Sequence, residues 1–259
     1  MDRAFLSALC LARAGLRLDP DKSYLIESRL GPVARREGYA SPEAFLDALR
    51  EGPDERLAWV AVEAMAMPET EFFRDRLVFQ RLMDEVIPEL VVQRSGQPVR
   101  IWSAACGSGQ EIYSLAMLLA DRPDLAPKCE LYASDLSERS LEKAQSGLYS
   151  QFEVQRGLPA RLLVRFFEKR GESFALSPRI RQMIRWRRVN LMDDLRRLGP
   201  FDLVLCRNVL SQLAPEALGR VRDQLRATLA PGGRLLMGQN EDGHGDLAAV
   251  DPDMGLYAA

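Results

Sequence analysis

The sequence predicts an α/β protein: a mainly parallel sheet with helices on both faces, preceded by an all-α N-terminal domain and interrupted by a small inserted subdomain. Three observations carry this. Up to about residue 85 the apolar residues recur at helical spacing. Beyond Val99, short apolar runs alternate with helical stripes, and these runs end in turns that lead into helices. Strands alternating with helices pair in parallel and are covered on both faces.

Taken in order, Asp2–Ala14 reads as a first helix, and Asp19-Pro20-Asp21 opens a second that continues through Arg36. Ser41-Pro42-Glu43 sets a capping hydroxyl ahead of a proline at the first helical position and opens Glu43–Arg50. Asp54–Met65 follows, with Leu57, Val60, Ala61 and Ala64 on one face. Phe79, Leu82, Met83, Val86, Ile87 and Leu90 make a further apolar stripe, and Gln93–Pro98 is a polar connector. Val99–Trp102 is then a strand, Glu111–Ala120 a helix, and Glu130–Ala133 a strand closing at Asp135. Ser137–Gln145 is helical, Phe201–Cys206 a strand, and Pro215–Leu229 a helix, after which Pro231-Gly232-Gly233 turns the chain into Arg234–Gly238. The stretch from Ser146 to Arg188 breaks the alternation and reads as an insertion. The domain division expected is 1–85 helical, 86–97 linker, and 98–259 ligand-binding, with the insertion at about 150–188.

Composition removes several classes of function. The 259 residues are 47% hydrophobic and 28% charged, an ordinary globular mixture. A net charge of −2, from 35 basic and 37 acidic side chains, gives no global field for a polyanion. The four cysteines (Cys10, Cys106, Cys129 and Cys206) stand singly, without zinc-ligand spacing. His244 is the only histidine, so a histidine dyad, a Ser-His-Asp triad and a histidine-rich metal site are almost excluded, and no metal is expected. The longest apolar runs, Leu57–Val62 and Leu115–Ala120, are six residues, against about 20 for a membrane span. A cytoplasmic protein with reduced thiols is the expectation.

Ser103–Glu111, with Gly107 and Gly109, lies between a strand and a helix, at the strand edge where such sheets bind ligands. Two glycines there let backbone approach a ligand. Asp135 closes the next strand, where a carboxylate can accept from both hydroxyls of a ribose. The third glycine of a dinucleotide fingerprint is replaced by Ile112, which favours a smaller adenosine cofactor, S-adenosylmethionine, over NAD.

Four blocks in this order carry a more specific signal: Glu69–Asp75, Ile101–Cys106, Ala133–Asp135 and Phe201–Val209. Through them the chain resembles the CheR-type chemotaxis receptor methyltransferases over nearly its whole length. The resemblance implies a Rossmann-like class I methyltransferase fold with S-adenosylmethionine as cofactor and S-adenosylhomocysteine as product. It implies a transferase acting in chemotaxis signal transduction, a protein-glutamate O-methyltransferase that esterifies glutamates on the cytoplasmic helical bundle of chemoreceptors.

Residue by residue, it places Thr70, Arg74, Ala105, Glu111, Asp135, Asn190, Leu191, Arg207 and Asn208 around the cofactor. Glu111 would lie near its ammonium, Asp135 on the ribose, and Asn190-Leu191 beside the adenine. Arg74 and Arg207 are the catalytic candidates, Arg74 orienting the reacting carboxylate. Arg29, Arg35 and Arg36 lie on the second predicted helix, in the domain that docks receptor in this family. Some members also bind a receptor's C-terminal pentapeptide through the inserted subdomain, which this sequence leaves open. Arg161–Arg188 carries a surplus of seven positive charges, which suits either a solvated face or an acidic partner. No nucleic-acid partner, no membrane insertion and a monomer are expected.

The pattern also departs from the family. Gln212 stands at a position where members commonly carry tyrosine, Gln239-Asn240 replaces His-Ser ahead of Glu241, and Met67-Pro68 replaces Thr-Asn. Beside the active enzyme, the departures keep open a weakly active or inactive module that binds cofactor and receptor.

Overall fold

The structure, a computed structural model, describes residues 2–19, 23–52, 54–66, 70–239, 241, 245 and 247–258. Four helices lead the chain: α1 Arg3–Ala14, α2 Ser23–Arg36, α3 Pro42–Glu51 and α4 Glu55–Met65. Three of their starts follow from the capping residues. The side chains of Asp2, Ser41 and Asp54 accept from the backbone N–H of Phe5, Ala44 and Leu57 at 3.0, 3.2 and 3.1 Å. Of the Asp19-Pro20-Asp21 start, residues 20 and 21 lie outside the described residues, and helix begins at Ser23.

α1 ends on Gly15 at φ 65°. A Cβ at this position would stand 2.6 Å from Ala217 Cβ and 2.9 Å from Met192 Sδ. Both the backbone angle and the space exclude a side chain, so Gly15→Ala is expected to destabilise by about 2 kcal/mol. Urea unfolding measures this; an unchanged midpoint would refute the close approach.

A second helical run comprises α5 Arg76–Arg81, a π-helical turn at Leu82–Val86 and α6 Ile87–Gln93. The wide turn falls directly ahead of Pro88, whose ring crowds the carbonyl four residues back in a regular α-helix. Much of the stretch read as a linker from 86 is therefore helix, with Ile87 and Leu90 buried, and the connector shortens to residues 94–98.

The remaining strands and helices, in chain order, are β1 Val99–Ala104, α7 Gln110–Ala120, β2 Cys129–Asp135, α8 Glu138–Ser146, β3 Leu148–Ser150, α9 Gln151–Gln155, α10 Ala160–Phe166 and β4 Phe167–Arg170. They continue as β5 Ser173–Leu176, α11 Pro178–Arg181, β6 Ile184–Arg188, β7 Phe201–Cys206, α12 Pro215–Ala227, β8 Leu229–Met237, β9 Ala248–Asp251 and β10 Leu256–Ala258. Seven strands form one sheet in the order β6-β2-β1-β7-β8-β10-β9. β6, β2, β1, β7 and β8 are mutually parallel, and β10 runs antiparallel to both neighbours. Every residue of β7 is buried, as a central strand covered on both faces requires.

The insertion is smaller than the sequence reading drew it. Its own sheet is the three-stranded β3-β5-β4, whereas β6 returns to the large sheet as an edge strand beside β2. Its arginines fit that position, since charged side chains guard an open edge.

The two faces of the large sheet hold separate cores. α5, α6, α7 and the insertion pack with Ile101, Leu131, Leu203 and Leu205. α1 to α4 share a core with Trp102, Val204, Cys206, Leu235 and Met237. The N-terminal helices thus cover one sheet face. Among the described residues no helix is long and apolar enough to cross a membrane.

Candidate active site

At the carboxyl edge of β1, β2 and β7 lies a crevice that opens to solvent. Thr70, Arg74, Ala105, Glu111, Asp135, Asn190, Leu191, Arg207 and Asn208 all line it, drawn together from six separate stretches of chain. Ala14 and Leu16, at the end of α1, form part of its wall, as do Leu136, Val189 and Gln212.

Asp135 ends β2 and is buried. Its Oδ2 accepts from the Gly107 N–H at 2.8 Å and its Oδ1 from the Ser137 N–H at 2.9 Å. Burial pushes this carboxyl up from its ordinary value, while the amides of Ser137 and Gly107 hold it down. Each oxygen keeps a second lone pair, so the fixed carboxylate can still accept from two hydroxyls. Capping of α8 falls instead to Ser137, whose Oγ accepts from the Ser140 N–H.

The two glycines of the first turn have different tasks. Gly107 lines the crevice. A Cβ on Gly109 would meet Ala144, Trp186 and Tyr113 at 3.0 to 3.2 Å, so Gly109 serves the packing of α7 on α8 and β6. The expectation that both glycines admit a ligand is corrected for Gly109.

Arg207 follows β7 with its side chain 1% exposed. Nη1 donates to Glu111 Oε2 at 3.0 Å and to the Arg74 carbonyl at 3.3 Å, and Nη2 pairs with Asp75. Glu111 keeps 16% of its side-chain surface, on the crevice side. Its burial pushes its carboxyl up, and the adjoining Arg207 opposes this without cancelling it. The edge of Glu111 that reaches the crevice offers a carboxylate to an ammonium. Asp75 closes the Glu69–Asp75 block but is not among the site residues named from the sequence.

Asn190 donates from Nδ2 to the Arg13 carbonyl at 2.6 Å and accepts at Oδ1 from the Met192 N–H at 3.1 Å. Its amide thus ties the turn after β6 to α1. The same junction is stitched by a bridge between Leu16 and Leu213, with Arg17 N–H donating to the Gln212 carbonyl at 2.9 Å and Ala214 N–H to the Gly15 carbonyl at 2.8 Å. Gln212 itself lines the crevice, and its Nε2 donates to the Asn208 carbonyl at 3.1 Å.

Phe73, Asp75, Ala105 and Asn208 have φ between 50° and 60°, and all four lie in or next to the crevice wall. Non-glycine residues in this left-handed region carry strain, which concentrates at functional sites.

The predicted docking arginines lie elsewhere, on α2. Arg29 is half-buried and donates to the Met65 carbonyl at 3.0 Å, closing the end of α4, while Arg35 and Arg36 are exposed, Arg36 beside Glu37. In the basic stretch 161–188, Arg165, Arg170, Arg185 and Arg188 pair with Asp121, Glu168, Glu130 and Glu63, so much of its charge is answered within the chain. Of the family departures, residues 67, 68 and 240 lie outside the described residues.

The crevice fits S-adenosylmethionine on its own terms. Asp135 presents acceptor oxygens where a ribose would bind, Leu136, Val189 and Leu191 give an apolar wall for a base, and Glu111 turns a carboxylate to the crevice where an ammonium would lie. Arg207 Nε is buried without a hydrogen-bond partner among the described residues, leaving one donor unassigned in this wall.

Comparison with known proteins agrees. Residues 68–248 match the family model described as CheR methyltransferase, SAM binding domain, and residues 1–60 the model described as CheR methyltransferase, all-alpha domain. The chain is 36% identical over 242 residues to a chemotaxis protein methyltransferase of Vibrio parahaemolyticus, covering 92% of this chain and 86% of that one. It is 37% identical over 243 residues to chemotaxis protein methyltransferase 1 of Vibrio cholerae, with the same coverage of each chain. With chemotaxis protein methyltransferase 1 of Pseudomonas aeruginosa it shares 36% over 245 residues, 92% of this chain and 88% of that one. The chain belongs to the CheR methyltransferase family, and its cofactor is S-adenosylmethionine.

Proposed function

We propose that this methyltransferase esterifies glutamate side chains on the cytoplasmic helical bundle of chemoreceptors. The observation that carries the reading is the single crevice in which Arg74, from the turn ahead of α5, meets Glu111, Asp135 and Arg207 from the sheet edge. S-adenosylmethionine, when bound, supplies an electrophilic methyl group on a sulfonium. What the chain must add is position. A glutamate, with a pKa of about 4.3, is ionised at neutral pH and asks for no general base. The residues have only to bring its oxygen to near-attack distance and hold it there.

Arg74 would orient the incoming carboxylate, and a single guanidinium does so without wholly quenching its charge. Arg207, paired with Asp75 and Glu111, would hold the crevice floor in shape. Asp135 would anchor the ribose. Ala14, Leu16 and Gln212 bring the N-terminal helices to the crevice rim, which supports docking of the receptor through that part of the molecule, with Arg35 and Arg36 exposed on α2.

The direct test incubates the protein with a purified receptor cytoplasmic fragment and methyl-labelled cofactor. The expected product is label on the receptor that mild base releases, as a methyl ester requires. Base-stable label, or none, overturns the reading. Gln212 favours a second reading as a binding module, because its amide is turned to the Asn208 carbonyl and offers no phenol ring. Calorimetry that finds tight S-adenosylhomocysteine binding without turnover would support that second reading.

A further inference from the structure

We infer that Glu241 is a positioning residue for methyl transfer, acting through the turn that carries Asn208 and Gln212. Glu241 follows β8 and is 7% exposed. Its Oε2 accepts from the N–H of Asn208 at 2.8 Å and of Gly238 at 2.9 Å, and its Oε1 from the N–H of Ser211 at 3.2 Å. One carboxylate thereby gathers three backbone donors, two of them in the segment that leaves β7 along the crevice.

This segment needs such a hold. Asn208 sits at φ 60°, a conformation that a non-glycine residue keeps only when its surroundings impose it. Asn208, Val209 and Gln212 all line the crevice, whereas Glu241 does not. Its influence on the reaction therefore passes through the main chain. The space for it is made by Gly238: a Cβ there would lie 2.9 Å from Glu241 Oε2 and 3.0 Å from Asn208 Nδ2. An ionised acceptor suits the place, since hydrogen bonds to a carboxylate are about twice as strong as neutral ones. A glutamine of the same shape would turn an NH2 group toward at least one N–H.

The inference deepens the proposed reaction and rests on it for its kinetic half, while its structural half is measured without turnover. In Glu241→Gln, amide exchange at Asn208 and Ser211 is expected to rise by about tenfold or more, with the amides of β1 and β2 unchanged. Receptor methylation should lose about tenfold or more in kcat, with the receptor KM and the S-adenosylhomocysteine Kd within about threefold of the wild type. Gly238→Ala crowds the same carboxylate while keeping both of its oxygens, and should give the same local exchange and the same kcat loss.

Unchanged exchange at Asn208 and Ser211, or exchange that rises uniformly across the sheet, overturns the positioning role. So does raised local exchange with an unaltered kcat. A wild type that forms no methyl ester defeats the proposed reaction alone, and the exchange data then still decide whether Glu241 holds the turn.

Discussion

Arg207→Met is expected to destabilise the protein by about 3 kcal/mol and to abolish methyl transfer. Removing one member of a buried ion pair costs about 3–5 kcal/mol, because the remaining charge keeps its burial without its partner. The lower figure applies here: Asp75 is 38% exposed and can turn to water, whereas Glu111 keeps only 16% of its side-chain surface. The variant should also respond to pH in a set direction. Burial already holds the Glu111 carboxyl above its ordinary 4.5, and without Arg207 it rises further. A carboxyl with a folded pKa above its unfolded one contributes stability that is present below the unfolded value and lost as pH rises through the folded one. The deficit of Arg207→Met relative to the wild type should therefore be largest at neutral pH and shrink on acidification. Urea unfolding at a series of pH values measures it, and a deficit independent of pH would show that Glu111 is not the stranded charge.

Asp135→Ala is expected to weaken S-adenosylhomocysteine binding by about a hundredfold or more. Two hydroxyl hydrogen bonds to a carboxylate are lost, each contributing about 1.5–3 kcal/mol in such an environment, and every 1.4 kcal/mol is tenfold. The amides of Gly107 and Ser137 also lose their acceptor, which loosens the turn after β1. Asp135→Asn keeps one acceptor oxygen and should fall between the two. Calorimetry reads both, with circular dichroism confirming the fold. An alanine variant that binds within a factor of three of the wild type would remove Asp135 from the cofactor site.

What could be read from the residues, and what could not, follows from the range over which each signal acts. β7 was legible because Leu203–Cys206 is an apolar run with Phe201 just ahead of it, and α3 and α4 because Ser41 and Asp54 cap within three residues of themselves. β6 was hidden inside the insertion, since its Arg185, Arg187 and Arg188 mask a strand that needs apolar cover on little more than one side. β9 and β10 were missed because strands of four and three residues hold no period. At the site, the resemblance supplied the nine residues that line one crevice, yet it gave no role to Asp75, which meets Arg207 from 132 residues away. Glu241 escaped for another reason. Its partners are main-chain amides, which every residue but proline has, so no side-chain pattern announces them.

The bridge between Leu16 and Leu213 has a thermodynamic corollary. Because α1 contributes a wall to the crevice and is sewn to the segment ending at Ala214, nothing can tighten one without pulling on the other. Any differential affinity is mutual: if filling the crevice steadies the N-terminal helices, then a protein gripping those helices must raise affinity within the crevice by the same factor. Substrate arrival and cofactor loading would then be two faces of a single linkage rather than separate events.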